Sequence, residues 1–242
     1  PDERWRLGAA DRAAMNDPLR IRTTSYPAAQ ASPEPILVMF LPGFDMRAED
    51  FARHGFIDWT RHDFPAADIL IAEPDLDLYL EGTVGTQLAA LLRSVATGHQ
   101  RVWLAGISLG CFGALVLAEG PIPVEGIVLL APFLGTAGLI AEVHRPGGLQ
   151  AWEPGEFTED DHERRLLARL KPYGRQLERW PTLWLGYGRS DRFAAASRLL
   201  AELLPPSRIF EIEGAHDWPS WTRLRDRILA AGAFARANSA CG

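Results

Sequence analysis

The sequence predicts an α/β protein whose central sheet is mostly parallel and is covered by helices on both faces. Short runs rich in β-branched residues recur along the chain, and they are apolar almost throughout, which is typical of strands buried on both faces. Segments with helical spacing lie between these runs, as in parallel α/β proteins. With 242 residues, 47% of them hydrophobic, the chain is long enough for one large domain with a proper core.

Six apolar runs bounded by Gly, Pro or Asp predict the strands of this sheet. In chain order they are Ile36–Phe40, Ile69–Ala72, Val102–Ala105, Ile127–Leu130, Thr182–Leu185 and Arg208–Ile212. Residues 19–26 alternate weakly between apolar and polar side chains, and we expect an antiparallel edge strand there.

Helical spacing of apolar residues predicts four helices, at 83–96, 109–119, 198–204 and 221–231. Residues 135–180 separate two predicted strands by more than a simple crossover requires. We interpret this segment as a cap-like insertion of one or two short helices within a single domain spanning 1–242, since long structureless loops are rare in compact domains.

Composition and charge exclude several classes of protein. The formal net charge of −6 argues against nucleic acid as the main partner, because binding phosphates requires a basic surface. The two longest uncharged stretches are interrupted by glycines, so no transmembrane segment is predicted. No structural disulfide is expected between Cys111 and Cys241. We expect a soluble protein and favour the cytoplasm, with the oligomeric state left open.

A Gly-x-Ser-x-Gly motif, Gly106-Ile-Ser-Leu-Gly110, lies between a predicted strand and a predicted helix. That context is typical of a nucleophile elbow, in which the serine occupies a sharp turn at the N-terminus of a helix. The helix dipole and the free N–H groups there favour developing negative charge. Ser108 is therefore the candidate nucleophile.

A serine hydroxyl needs a base within hydrogen-bond reach, and the base needs a carboxylate to orient it. His216 follows the last predicted strand, in a loop at the strand end where sites in open α/β sheets lie. Asp191, just after the strand that ends at Leu185, is the candidate acid. Asp217 is the rival, but neighbouring loop residues rarely point at each other.

The oxyanion of an acyl-transfer reaction requires backbone donors. We assign one to the N–H of Leu109, directly after Ser108, and the other to the N–H of Phe44, in the Pro-Gly loop after the first parallel strand. Trp152, in the insertion, and Trp218, beside His216, are candidate residues for lining the substrate pocket.

These landmarks, in the order Ser108, Asp191, His216, resemble the α/β-hydrolase superfamily over about residues 35–231. The segment Gly214-Ala-His-Asp-Trp-Pro-Ser-Trp is similar to the histidine segment of the putative-esterase branch, which includes esterase D-like and enterochelin-esterase-like enzymes. One departure is Pro42-Gly43, where many relatives carry His-Gly.

The resemblance implies a serine hydrolase that cleaves carboxylic esters of small molecules through an acyl-enzyme. No metal or organic cofactor is expected, since the chain carries no phosphate-loop, dinucleotide-binding or His-Glu-x-x-His motif. Two alternatives stay open. One is a thioesterase or acyltransferase with the same three residues, and the other is a non-catalytic binding member of the fold.

Overall fold

The computed structural model describes residues 20–120, 122–175 and 180–234. Its centre is a seven-stranded sheet in the order β1-β3-β2-β4-β5-β6-β7. Strand β1 pairs antiparallel with β3, and every other pair is parallel. The strands are β1 Ile21–Tyr26, β2 Ile36–Leu41, β3 Ala67–Pro74, β4 Arg101–Ile107, β5 Gly126–Leu130, β6 Thr182–Gly188 and β7 Ile209–Ile212.

Helices cover both faces of the sheet and enclose two separate apolar cores. Along the chain they are α1 Ala48–Arg53, α2 Phe56–Asp63, α3 Leu76–Leu80, α4 Val84–Val95, α5 Leu109–Leu117, α6 Ala137–His144, α7 His162–Leu170, α8 Ala194–Ala201 and α9 Trp218–Ala230. Helices α3 to α8 pack in the larger core, while α1, α2 and α9 pack on the opposite face. Within the described residues, no helix combines the length and the apolar character needed to cross a bilayer.

The predicted strands are confirmed, and the antiparallel edge strand is present as β1. The strands are apolar because they are sandwiched between helices, so that every residue of β2 and β5 is buried. Two helices begin earlier than predicted: α8 starts at Ala194 rather than at 198, and α9 starts at Trp218 rather than at 221. Asp217 explains the second difference, because its side chain accepts the N–H of Ser220 and so caps the helix before Trp218.

Helices α1, α2 and α3 were not predicted, since each has only five to eight residues and too short an apolar pattern. The segment predicted as an insertion holds α6, α7 and a short 3₁₀ turn at Tyr173–Arg175. Its buried apolar side chains belong to the larger core. A role as a cap over the site, and the division of the chain into a single domain, stay predictions. Cys241 lies outside the described residues.

Glu142, in α6, connects that helix to two other parts of this segment through hydrogen bonds. It accepts hydrogen bonds from the Arg164 guanidinium at 2.5 and 2.8 Å and from the Trp152 indole N–H at 3.0 Å. The bonds from Arg164 first, and the bond from Trp152 second, lower the pKa of Glu142 from 4.5 to about 2. Its ionised form is thus favoured in the folded state.

We predict that Glu142→Gln lowers the melting temperature by a few degrees at neutral pH. The folded-state pKa is depressed, so the stabilisation is complete above about 4.5 and is lost as the pH falls towards about 2. Melting temperatures of both proteins across that range test this, and the difference should shrink in acid. Glu153→Gln is the control, because Glu153 is 83% exposed in its ion pair with Lys171 and should matter less.

Candidate active site

Ser108 occupies a strained turn between β4 and α5. Its backbone angles, φ 55° and ψ −117°, lie in a region that non-glycine residues rarely adopt. Such strain costs about 1–3 kcal/mol and persists only where the surroundings enforce it. Here they do so through three backbone hydrogen bonds: Ser108 N–H donates to Leu130 O, and Ser108 O accepts from the N–H groups of Cys111 and Phe133.

The two glycines of the motif allow the backbone to pass within contact distance of its neighbours. A Cβ atom on Gly106 would lie 2.6 Å from the Cys111 nitrogen. A Cβ atom on Gly110 would lie 2.0 Å from the carbonyl oxygen of Leu41, at the end of β2. Both contacts are with backbone, which cannot move aside cheaply, so any larger residue would push α5 away from the sheet.

We predict that Gly110→Ala destabilises the protein by about 3 kcal/mol, because the added methyl group overlaps the Leu41 carbonyl. Urea unfolding followed by circular dichroism measures the change. The matched control is Gly138→Ala in α6, where a Cβ would meet nothing within 4 Å. There we expect a gain of about 0.5–1 kcal/mol from helix propensity. Equal effects of the two substitutions would contradict the packing argument.

The structure brings Ser108, His216 and Asp191 together in a chain of hydrogen bonds. His216 Nε2 lies 3.0 Å from Ser108 Oγ. On the other side of the ring, His216 Nδ1 lies 2.8 and 3.0 Å from the two carboxyl oxygens of Asp191. The Asp191 side chain is fully buried and the His216 side chain is 10% exposed. The three residues predicted from sequence are therefore adjacent in space.

The chemistry of the three groups assigns the protons. An ionised carboxylate only accepts hydrogen bonds, so His216 Nδ1 carries the proton and donates it to Asp191. Nε2 of the neutral ring is then an acceptor, directed at the Ser108 hydroxyl. The imidazole is thus oriented to withdraw the serine proton.

Close packing of two loops fixes His216 relative to Asp191. A Cβ on Gly188 would lie 2.3 Å from Gly214 O, so the end of β6 passes directly beside the His216 loop. Ser190 N–H also donates to Gly214 O at 3.0 Å. Asp217 faces away from this site: its side chain accepts the Ser220 N–H at 3.0 Å. The hydrogen bond with the Ser220 side chain is the main cause that lowers the pKa of Asp217, and the bond from the Ser220 backbone N–H adds to it.

Two aromatic rings that were not singled out from the sequence hold the imidazole. Phe193 and Trp221 each lie 5.0 Å from the His216 ring, and both are nearly perpendicular to it. The Phe193 N–H also donates to Asp191 at 2.7 Å. Next to Phe193, Phe133 lies half-buried, with its own N–H bonded to Ser108 O. The sequence did offer a signal for these two residues, because Phe193 follows Asp191, and Trp221 follows His216, within a few positions.

The loop after β2 passes close to Ser108. A Cβ on Gly43 would lie 3.0 Å from Ser108 Cβ, so the backbone that leads into Phe44 runs beside the serine. The Phe44 side chain is 57% exposed. Leu109 is the first residue of α5, where the N–H has no intrahelical acceptor. Assignment of the Phe44 and Leu109 N–H groups as oxyanion donors stays a prediction.

The two tryptophans predicted to line a substrate pocket are both packed against other side chains. Trp152 is 2% exposed, and its indole N–H is bonded to Glu142, so it presents no open surface to a ligand. Trp218 packs against Trp221 at 5.2 Å and stacks on His54 at 4.3 Å. It therefore lies behind the ring that contacts His216. A role for either indole in substrate binding stays a prediction.

Cys111, three residues after Ser108, is completely buried in the larger core. Burial raises the pKa of its thiol, which keeps it protonated. Since the thiolate is the reactive form, this buried cysteine is not a candidate nucleophile. Across the described ranges, no three His, Cys, Asp or Glu side chains are grouped so that they could hold a metal ion.

No family model matches the chain, and no curated protein matches it. Solved structures do match. The S-formylglutathione hydrolase of Staphylococcus aureus superposes with a TM-score of 0.62 at 14% identity, over 89% of this chain and 96% of that one. Est1E from Butyrivibrio proteoclasticus gives a TM-score of 0.60 at 16% identity, over 90% of this chain and 94% of that one. A bromoperoxidase from Bacillus anthracis gives a TM-score of 0.57 at 15% identity, over 91% of this chain and 97% of that one.

These likenesses establish the fold. The chain has the α/β-hydrolase fold, as the sequence resemblance implied. The similar structures include proteins named as hydrolases and esterases, and one named as a bromoperoxidase, so the fold alone does not select one reaction.

Proposed function

We propose that this protein is a serine hydrolase that cleaves carboxylic esters through an acyl-enzyme. The single observation that carries the proposal is the unbroken hydrogen-bond chain from Asp191 through His216 to Ser108, with 3.0 Å between His216 Nε2 and Ser108 Oγ. A buried serine with a base and an orienting carboxylate is the arrangement that activates a hydroxyl for acyl transfer.

In the proposed reaction, Ser108 Oγ attacks the acyl carbon while His216 Nε2 takes its proton. Asp191 stabilises the imidazolium that forms. The N–H groups of Leu109 and Phe44 stabilise the oxyanion of the tetrahedral intermediate. His216 then gives the proton to the departing alcohol, and the acyl group stays on Ser108. His216 Nε2 then takes a proton from water, which attacks the acyl-enzyme. As the bond between the acyl carbon and Ser108 Oγ breaks, His216 returns the proton to Oγ, so that the acid is released and Ser108 is restored.

A thioester is the second candidate substrate, because the same residues would serve it and one similar structure is an S-formylglutathione hydrolase. Transfer of the acyl group to another acceptor would also use this machinery. A non-catalytic binding member of the fold would have no need of the strained turn that presents Ser108, since that conformation costs free energy.

Reaction with a fluorophosphonate probe tests the proposal. We expect one equivalent of probe on Ser108, located by peptide mass spectrometry, together with loss of turnover of p-nitrophenyl esters. A panel of p-nitrophenyl esters and acyl-CoA thioesters then separates ester from thioester hydrolysis. A protein that neither reacts with the probe nor hydrolyses any member of the panel would be a binding protein, and the proposal would be wrong.

A further inference from the structure

A cleft opens beside the proposed oxyanion loop. At one end it is bounded by Gly43 and Leu109, the neighbours of Ser108, and at the other by the C-terminal end of β3. On the loop side it is lined by Phe44, Asp45 and Met46. Its far end is charged, where Glu73 and Arg47 face each other.

Glu73 is an unusual residue for a strand end in this sheet. It follows a fully buried apolar run and is itself only 6% exposed. Its Oε1 atom is buried, and among the described residues it has no hydrogen-bond partner. The nearest cations are Arg22, its cross-strand neighbour on β1, and Arg47. Each places an Nη1 atom 3.8 Å away, which is beyond hydrogen-bond distance.

An unpaired buried carboxylate oxygen is costly, which indicates that Glu73 acquires a partner in another state of the protein. The two guanidinium groups already compensate its charge, so a further cation is not required. What the oxygen lacks is a hydrogen-bond donor. A hydroxyl group donates to a carboxylate and accepts from a guanidinium at once, which no ammonium or carboxylate group can do. The Arg22 and Arg47 side chains are more than half exposed and can shift to admit it.

The position of Glu73 fits an extended substrate. In the sheet, β2 lies between β3, which carries Glu73, and β4, which leads to Ser108. Two strand spacings amount to about 10 Å. A group bound at Glu73 is therefore too far from Ser108 to take part in the chemistry, but it can belong to one arm of an ester whose carbonyl lies at Ser108.

We propose that this cleft is a substrate subsite and that Glu73 selects esters bearing a hydroxyl group at the far end of one arm. The inference rests on the proposed function. Glu73 acts on specificity alone: it binds the hydroxyl, with Arg47 as the second partner, and leaves the reaction at Ser108 unchanged.

Paired substrates test the inference for each arm of the ester. For the acyl arm, p-nitrophenyl ω-hydroxyhexanoate is compared with p-nitrophenyl heptanoate, in which a methyl group replaces the hydroxyl. For the alcohol arm, hexanediol monoacetate is compared with heptyl acetate, by titration of released acid. We expect a preference of about 10- to 100-fold in kcat/KM for the hydroxylated member of one pair. The pair that shows it identifies the arm that occupies the cleft.

Glu73→Leu should bring that ratio close to one by lowering kcat/KM for the hydroxylated ester, and Glu73→Gln, whose amide oxygen still accepts a hydrogen bond, should lower the ratio less. The matched control is Asp75→Asn, since Asp75 lies in the same cleft but is exposed. It should keep the wild-type ratio. A wild-type ratio near one in both pairs would overturn the inference, and so would an equal loss on both members of a pair in the Glu73 variants. If the methyl-terminated esters and the p-nitrophenyl panel are not hydrolysed at all, the proposed function itself fails, and this inference with it.

Discussion

Ser108→Ala is expected to lower kcat/KM for a p-nitrophenyl ester by about ten-thousand-fold or more. Without the hydroxyl there is no nucleophile for His216 to activate, and only residual catalysis from substrate binding and the oxyanion donors remains. Alanine is no more strained than serine at φ 55°, so the fold should be retained. Steady-state kinetics measures the loss of kcat/KM, and circular dichroism on the same preparation shows whether the fold is retained.

The matched control is Ser190→Ala, which removes an exposed hydroxyl from the loop beside Asp191. That variant should keep activity within a few-fold of the wild type. If Ser108→Ala retained more than about a tenth of wild-type activity, Ser108 would not be the nucleophile, because a serine in this role contributes far more than tenfold.

Asp191→Asn is the second large effect that we expect, with a loss of about ten-thousand-fold in kcat/KM. The amide can donate to His216 Nδ1, which would place the imidazole proton on Nε2 and leave no acceptor for the Ser108 hydroxyl. It also removes the negative charge that stabilises the imidazolium. The Asp191 side chain is fully buried, so no water can replace the lost carboxylate.

Asp217→Asn is the comparison that makes this result specific, since Asp217 is adjacent to His216 in the chain. Asparagine is as good a helix N-cap as aspartate, so the bond to Ser220 N–H can be kept and the loss of activity should be small. The two variants are compared on one ester with melting curves as a check on folding. Similar losses, or the reverse order, would mean that Asp191 is not the acid.

The residues predicted from sequence for the hydrogen-bond chain are brought together because each one follows a strand of the parallel part of the sheet. Parallel strands place their carboxyl ends at the same edge, so Ser108 after β4, Asp191 after β6 and His216 after β7 were expected to be neighbours. Asp191 was preferred over Asp217 because neighbouring loop residues rarely point at each other, and in the structure Asp217 instead caps α9 through the Ser220 N–H.

The substrate region could not be predicted in the same way. Trp152 was assigned to a pocket because it lies in an insertion, but its environment depends on Glu142 and Arg164, which are separated from each other by 22 positions. Glu73 was overlooked because it ends an apolar run and has the appearance of a strand terminus. Its exceptional property, a buried oxygen without a donor, arises only when β1 and the loop after β2 fold around it.

Strand β7 has consequences for how this protein would lose activity. It has only four residues, lies at the edge of the sheet and, within the part of the chain that the structure describes, pairs with β6 alone, yet the loop that follows it carries His216. Segments with so few buried contacts open at a lower free energy than the core of a protein does. Each such opening would move His216 away from Ser108, which lies 108 positions earlier in the chain. Turnover should therefore report local opening of this edge. As the denaturant concentration rises, we expect turnover to fall while the sheet beneath Ser108 is still intact.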